Sequence, residues 1–282
     1  MELLRPESLA DATNALGNGT VALGGGTDLV PMLRDRLVEA ETLVELRGVV
    51  PRGIDGDGTR IGAGTTLAEL EAEPQIPEAL REACRLAASP QLRAMGTIGG
   101  NLLQATRCWY WRLKFPCYLH GGDRCHAREG QHREHAIFGN DLCASAHPSD
   151  PAAALLALGA TVRTSRRELP LAELYRLPTA EDRRLTTLER DELILEVDVP
   201  QPTTSTYLKA MDRQRFSFAL VGVAAARSDD GEARLGLAGV APIPWPLSGA
   251  DALDASTPLP GTRYKVEIAR ALVGRALAAL DA

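Results

Sequence analysis

The sequence contains no long hydrophobic run. Its longest apolar stretches, 151–160 and 218–226, are the size of core elements and fall well short of the roughly 20 residues a membrane-spanning helix needs, so no membrane span is expected. Positive charge is not in excess. Lys plus Arg number 31 against 37 Asp plus Glu, a net charge of −6, which excludes nucleic acid and anionic membranes as main partners. The N-terminus has no basic flank, apolar block or small-residue cleavage site, so no signal peptide is expected on the chain itself. Two nucleotide signatures are missing: the G-x-G-x-x-G of a Rossmann domain and the G-x-x-x-x-G-K-[ST] of a P-loop. Aromatic residues are scarce, at 4%, which makes their local concentration between residues 108 and 143 informative.

What remains is an ordinary globular composition, 45% hydrophobic and 24% charged over 282 residues, enough for one large domain or two modest ones. The first part alternates helix and strand. Ser8 caps a helix to Leu16, residues 21–23 form a short strand, and residues 29–36 return to helix. A strand follows over 42–46. Two Asp-Gly pairs mark hairpin turns within 53–64, and Thr66 with Glu69 forms a capping box. Over 77–89 the apolar spacing of Leu80, Ala83, Cys84, Ala87 and Ala88 predicts a helix with one buried face, which places Cys84 in the core as a packed thiol. Residues 151–158 read as helix and 160–164 as strand. The charge-dense stretch 181–191 reads as a linker or boundary loop. The C-terminal third reads as α+β, with strands near 193–199, 206–211, 219–226 and 234–240 and a terminal helix over 264–280.

Two glycine loops stand out. The first, Gly24-Gly25-Gly26-Thr27-Asp28-Leu29, joins a strand to a helix start. The second is Gly96-Thr97-Ile98-Gly99-Gly100-Asn101. Without Cβ atoms in the way, successive backbone N–H groups can converge on an anion. Either loop alone is weak evidence and reads first as a tight turn. The pair suits a ligand with two phosphates gripped from both sides, held neither in a Rossmann domain nor in a P-loop.

The third feature is a cysteine-rich insert. Cys108, Cys117, Cys125 and Cys143 fall within 36 residues, in or beside which lie all five histidines and Trp109 and Trp111. The spacing C-x8-C-x7-C-x17-C lacks the tight C-x2-4-C knuckle of structural zinc sites. A [4Fe–4S] cluster, a zinc ion and disulfides or free thiols all stay open on spacing alone. Trp109, Tyr110, Trp111, Phe115 and Tyr118 either shield such a site or pack the insert as a small core of its own.

On these residues the chain resembles the FAD-binding medium subunits of molybdenum hydroxylases, the group of xanthine dehydrogenase, carbon monoxide dehydrogenase and aldehyde oxidoreductase. The resemblance is carried by residues 22–31, 96–102, 148–150 and 191–194, and by Lys209 with 216–221. The stretches 89–93, 101–108 and 143–150, with the order of the cysteines, are similar to the subset whose flavin subunit also holds a [4Fe–4S] cluster, such as the bacterial periplasmic aldehyde oxidoreductase and 4-hydroxybenzoyl-CoA reductase. The resemblance implies an α+β chain. Its two-subdomain FAD-binding fold, of the vanillyl-alcohol-oxidase/PCMH type, would span residues 1–178 with the insert at 106–147, and a C-terminal α+β domain would span 179–282.

It also implies roles. Gly24, Gly25, Gly26, Thr27, Asp28 and Leu29 would wrap the FAD pyrophosphate, with Thr97, Gly99, Gly100 and Asn101 closing from the other side. Asp150, with Ser149 nearby, would accept hydrogen bonds from the sugar-like chain of the flavin. Ile194 would pack near the isoalloxazine ring, and Lys209 would sit at its polar edge. Cys108, Cys117, Cys125 and Cys143 would hold the [4Fe–4S] cluster. The implied protein is an electron-transfer subunit and names no catalytic acid or base. It would work beside a molybdenum-cofactor large subunit and a [2Fe–2S] small subunit, pass electrons to a soluble acceptor, and reside in the cytoplasm, or in the periplasm if exported with a partner. The competing expectation is a zinc-stabilised scaffold with an empty flavin fold.

Overall fold

A computed structural model describes residues 1–214, 216–228 and 231–282. The chain opens with β1 (Glu2–Leu4), α1 (Leu9–Ala15), β2 (Thr20–Leu23), α2 (Leu29–Arg34) and β3 (Thr42–Glu45), and the three strands form a parallel sheet ordered β1-β3-β2. Ser8 starts α1 by accepting a hydrogen bond from the Asp11 N–H, as its position before a helical run requires. β1 carries no sequence signal because it is a three-residue edge strand with every residue exposed.

The middle of the chain runs through β4 (Arg60–Gly62), α3 (Leu67–Ala72), α4 (Glu78–Leu86), α5 (Pro90–Arg93), α6 (Ile98–Leu102), α7 (Trp109–Arg112), α8 (Asp150–Ala157), β5 (Thr161–Thr164), β6 (Glu168–Pro170), α9 (Leu171–Leu174) and β7 (Ile194–Asp198). Thr66 and Glu69 form the full capping box that starts α3. The antiparallel sheet β4-β7-β5-β6 draws strands from far apart in sequence and pairs Val162 with Val197, both fully buried. Its core is completed by Leu80 and Cys84 of α4, Ile98 and Leu102 of α6, and Leu155 of α8.

The C-terminal sheet β11-β10-β9-β8 is antiparallel, built from β8 (Thr204–Ala210), β9 (Val221–Arg227), β10 (Ala233–Ala238) and β11 (Trp245–Leu247). β9 is buried on both faces. Val221, Val223 and Ala225 meet the terminal helix α10 (Arg263–Leu280), while Ala224 and Ala226 face the core that contains α4 and α8. Gly236 of β10 is what lets α8 lie so close, since a Cβ there would stand 2.1 Å from the Ala153 carbonyl oxygen. Residues 181–191 are bonded in place, with Arg183 donating to the Tyr118 and Gly122 carbonyls of the cysteine-rich segment at 2.7 and 2.8 Å. Among the described residues no helix is long and apolar enough to cross a membrane.

Candidate functional site

The two glycine loops, some 70 residues apart in sequence, rest directly on each other. A Cβ on Gly25 would stand 1.8 Å from the Met95 carbonyl oxygen, so only glycine permits this approach. Around that contact Gly24 faces the Thr97 hydroxyl and Gly96 faces the Thr27 hydroxyl. Gly26 turns the chain into α2 with a left-handed φ of 73°. The second loop is anchored to the core through the Ile98 N–H on the Thr65 carbonyl (2.8 Å) and the Gly99 N–H on the Ala63 carbonyl (3.0 Å), while the Thr97 hydroxyl accepts from the Gly100 N–H. The backbone N–H groups of Gly24, Gly25, Gly26, Thr27, Asp28 and Thr97 donate to no acceptor among the described residues. Six unpaired donors gathered at a half-buried junction form a ready receptor for an anion.

This junction forms one wall of a cleft of about 1200 Å³, above the roughly 300–1,000 Å³ of common small-ligand pockets. Leu29, Gly99, Gly100, Asn101, Asp150 and Ile194 also line it. The Asp28 carboxylate points away from the N–H groups. It accepts from the Ala105 N–H (2.7 Å) and from Arg107 and Arg112 (2.9 and 3.0 Å), which ties the first loop to the start of the cysteine-rich segment.

Asp150 is buried at the cleft wall. Its Oδ1 accepts from the Tyr207 hydroxyl at 2.5 Å, and its Oδ2 accepts from Lys209 Nζ at 2.7 Å. Burial pushes the Asp150 carboxyl above the usual carboxylate range, and the Lys209 ammonium and the Tyr207 hydroxyl oppose that shift. Lys209 also donates to the Leu86 carbonyl at 2.9 Å. Lys209 and Ser149 both stand behind the wall rather than on it: the Ser149 hydroxyl caps α8 and donates to Asn101 Oδ1 at 2.5 Å. Sequence reasoning passed over Tyr207, whose hydroxyl fits only because residue 222 is glycine; a Cβ there would stand 2.1 Å from it. It also passed over Arg107, whose guanidinium stacks on Phe218 at 4.9 Å and whose buried Nε has no partner among the described residues. Both Arg107 and Phe218 line the cleft. Single residues of these common types leave no pattern in sequence.

All five cysteines are free thiols. Cys84 is fully buried in α4, and burial pushes its thiol far up. Cys108 lines the cleft, whereas Cys117, Cys125 and Cys143 lie behind it. The four are near enough to act on one another. Burial pushes Cys108 up to about 11, and Cys125 and Cys117 add to the shift while the Trp111 and Tyr110 N–H groups oppose it. Burial likewise pushes Cys143 up to about 12, with Cys125 and Cys108 adding and Ser145 opposing. The Ala144 N–H donates to Cys125 Sγ at 3.4 Å. N–H groups aimed at sulfur suit thiolate ligands. Among the described residues, however, no three His, Cys, Asp or Glu side chains gather closely enough to hold one metal ion. Among the described residues, then, Cys108, Cys117, Cys125 and Cys143 are not shown to hold either a zinc ion or the expected [4Fe–4S] cluster.

A family profile described as the FAD binding domain in molybdopterin dehydrogenase matches residues 1–202, ending just past β7. The aldehyde oxidoreductase FAD-binding subunit PaoB of Escherichia coli is 36% identical over 250 residues, covering 83% of this chain and 79% of that protein. The carbon monoxide dehydrogenase medium chain of Afipia carboxidovorans is 42% identical over 106 residues, covering 34% of this chain and 37% of that protein. In three dimensions the chain is similar to a carbon monoxide dehydrogenase from Hydrogenophaga pseudoflava, with TM-score 0.71 and 25% identity, over 99% of this chain and 96% of that one.

Proposed function

The chain belongs to the family of FAD-binding domains of molybdopterin dehydrogenases, and from that premise we propose that it is the electron-transfer subunit of a molybdenum-hydroxylase complex, carrying FAD and a [4Fe–4S] cluster. The observation that carries this reading is the double glycine cradle, with its six unpaired N–H groups on the wall of a cleft large enough for a dinucleotide. Bound FAD supplies the exchange of one or two electrons; the protein supplies binding, orientation and electrostatics.

The N–H groups of Gly24–Asp28 and Thr97 bind the pyrophosphate, and the glycines keep Cβ atoms out of its way. Asp150 accepts from the hydroxylated chain of the flavin with lone pairs left over from Tyr207 and Lys209. Lys209 acts through Asp150, offsetting its charge from behind, rather than at the ring edge. Ile194, at the start of β7, excludes water beside the ring. Cys108, Cys117, Cys125 and Cys143 hold the cluster. Each of the four thiolates would ligate one iron, the donor set that a [4Fe–4S] cluster takes. The complex would add a molybdenum-cofactor subunit that oxidises an aldehyde or an aromatic or heterocyclic compound, and a [2Fe–2S] subunit that relays electrons to this chain for transfer to a soluble acceptor.

Anaerobic purification of the chain with its natural partners tests this. The expected preparation releases one FAD per chain on denaturation and contains about four iron and four acid-labile sulfides beyond those of the [2Fe–2S] subunit, as four thiolate ligands imply. Stoichiometric zinc without that sulfide and without flavin would instead identify a scaffold.

A further inference from the structure

The imidazole of His135 joins the cysteine group to the cofactor cleft. The residue is 3% exposed and lines the cleft beside Cys108. Its Nε2 lies 3.2 Å from Cys108 Sγ. Its Nδ1 is buried and has no partner among the described residues. That contrast favours one tautomer. A proton on Nδ1 would leave a buried N–H unpaired, whereas a bare Nδ1 leaves only an unused lone pair, the cheaper deficit. In that tautomer the proton is on Nε2 and points at sulfur.

The ring is held there from several sides. The indole of Trp109 meets it edge-on at 5.3 Å, and the backbone N–H of His135 donates to the His132 carbonyl at 3.0 Å. Next to it, the Glu134 carbonyl accepts from Lys265, a fully buried residue of α10 whose Nζ also donates to the Gly239 carbonyl, both at 2.8 Å. The terminal helix thus clamps the segment that carries His135. The other N–H groups that act on Cys108, those of Tyr110 and Trp111, belong to the backbone; the His135 donor is the one that a substitution can remove.

We propose that His135 is a positioning residue for the cluster: its Nε2–H donates to the Cys108 sulfur, withdraws charge from that thiolate, and raises the reduction potential of the cluster beside the flavin. A hydrogen bond to a ligating sulfur stabilises the more negative, reduced state, so its removal lowers the potential. The inference rests on the [4Fe–4S] reading above.

The test is a redox titration of the purified complex, followed by the magnetic signal of the reduced cluster, for wild type, His135→Phe and His135→Gln. Iron and sulfide are measured on the same samples. In His135→Phe we expect full iron content and a reduction equilibrium about tenfold less favourable, which for one electron is a ~59 mV fall. His135→Gln, which restores an N–H near Nε2, should recover most of it. Loss of the cluster from Phe but not from Gln also supports the donor. An unmoved potential in His135→Phe at full iron content overturns the proposal, as does loss of the cluster from both variants. Wild-type complex without the extra iron and sulfide overturns the cluster reading itself, and this proposal with it.

Discussion

At the scale of single residues, what a side chain can do here is set by what its neighbours already use. Asp150 and Lys209 stood out in sequence as separate candidate residues, but their pairing with each other and with Tyr207 did not, because both donors arrive from a strand more than 50 residues away. The cysteines announced themselves by their density. His135 was one of five histidines noted beside the cysteines and given no role until the fold set it against Cys108. His147 carries a consequence for pH. Burial pushes its imidazole down to about 3; Leu102 opposes the shift and Arg107 adds to it, while the ring packs edge-on against Tyr175 at 5.4 Å. The unfolded chain takes up that proton near the ordinary histidine value and the folded chain does not, so stability falls as pH falls from about 6.5 toward 3. The penalty reaches roughly 2 kcal/mol between pH 7 and pH 5, at 1.36 kcal/mol per unit below the ordinary pKa. His147→Asn, which keeps an acceptor for the Ser149 N–H, should show a urea midpoint that declines less over that range than wild type. Equal declines would show that His147 is not the group being charged.

At the scale of elements, the long and well-patterned pieces were readable and the short ones were not. α4 showed its buried stripe, α3 its capping box and α10 its repeating apolar face, all of them local signals. β1, β6 and β11 have three residues each, and α5 to α7 four or five; such pieces form because tertiary partners hold them, and their own sequences carry too few turns of pattern to announce them. The glycine loops are the exception among short elements, since their composition is itself the signal. What sequence did not disclose is that they touch. That contact makes Gly25 the most demanding glycine of the cradle, because alanine would put its Cβ 1.8 Å from the Met95 carbonyl oxygen and push the loops apart. Gly25→Ala should weaken FAD affinity at least tenfold, about 1.4 kcal/mol, measured by flavin fluorescence during titration. Gly17→Ala, where an added Cβ meets nothing within 4 Å, serves as the control and should bind as wild type does. Equal affinity in Gly25→Ala and wild type would mean that the loop contact does not shape the site.

At the scale of the whole molecule, the cleft belongs to no single segment. The first loop comes from the parallel sheet, Ile194 from the second sheet, Phe218 from the approach to β9, and Cys108 from the cysteine-rich segment. No windowed reading of sequence assembles such a surface, because its pieces meet only in the assembled fold. The proposed electron-transfer role asks for no catalytic acid or base in this chain. Asp150, Tyr207 and Lys209 hold one another, and the glycine loops frame an anion cradle. The most direct measurement is therefore an equilibrium titration of the flavin-depleted chain with FAD. Saturation at one FAD per chain, with AMP and other single phosphates failing to displace it at equal concentration, is the result this account predicts. A correctly folded chain that takes up no FAD would contradict it.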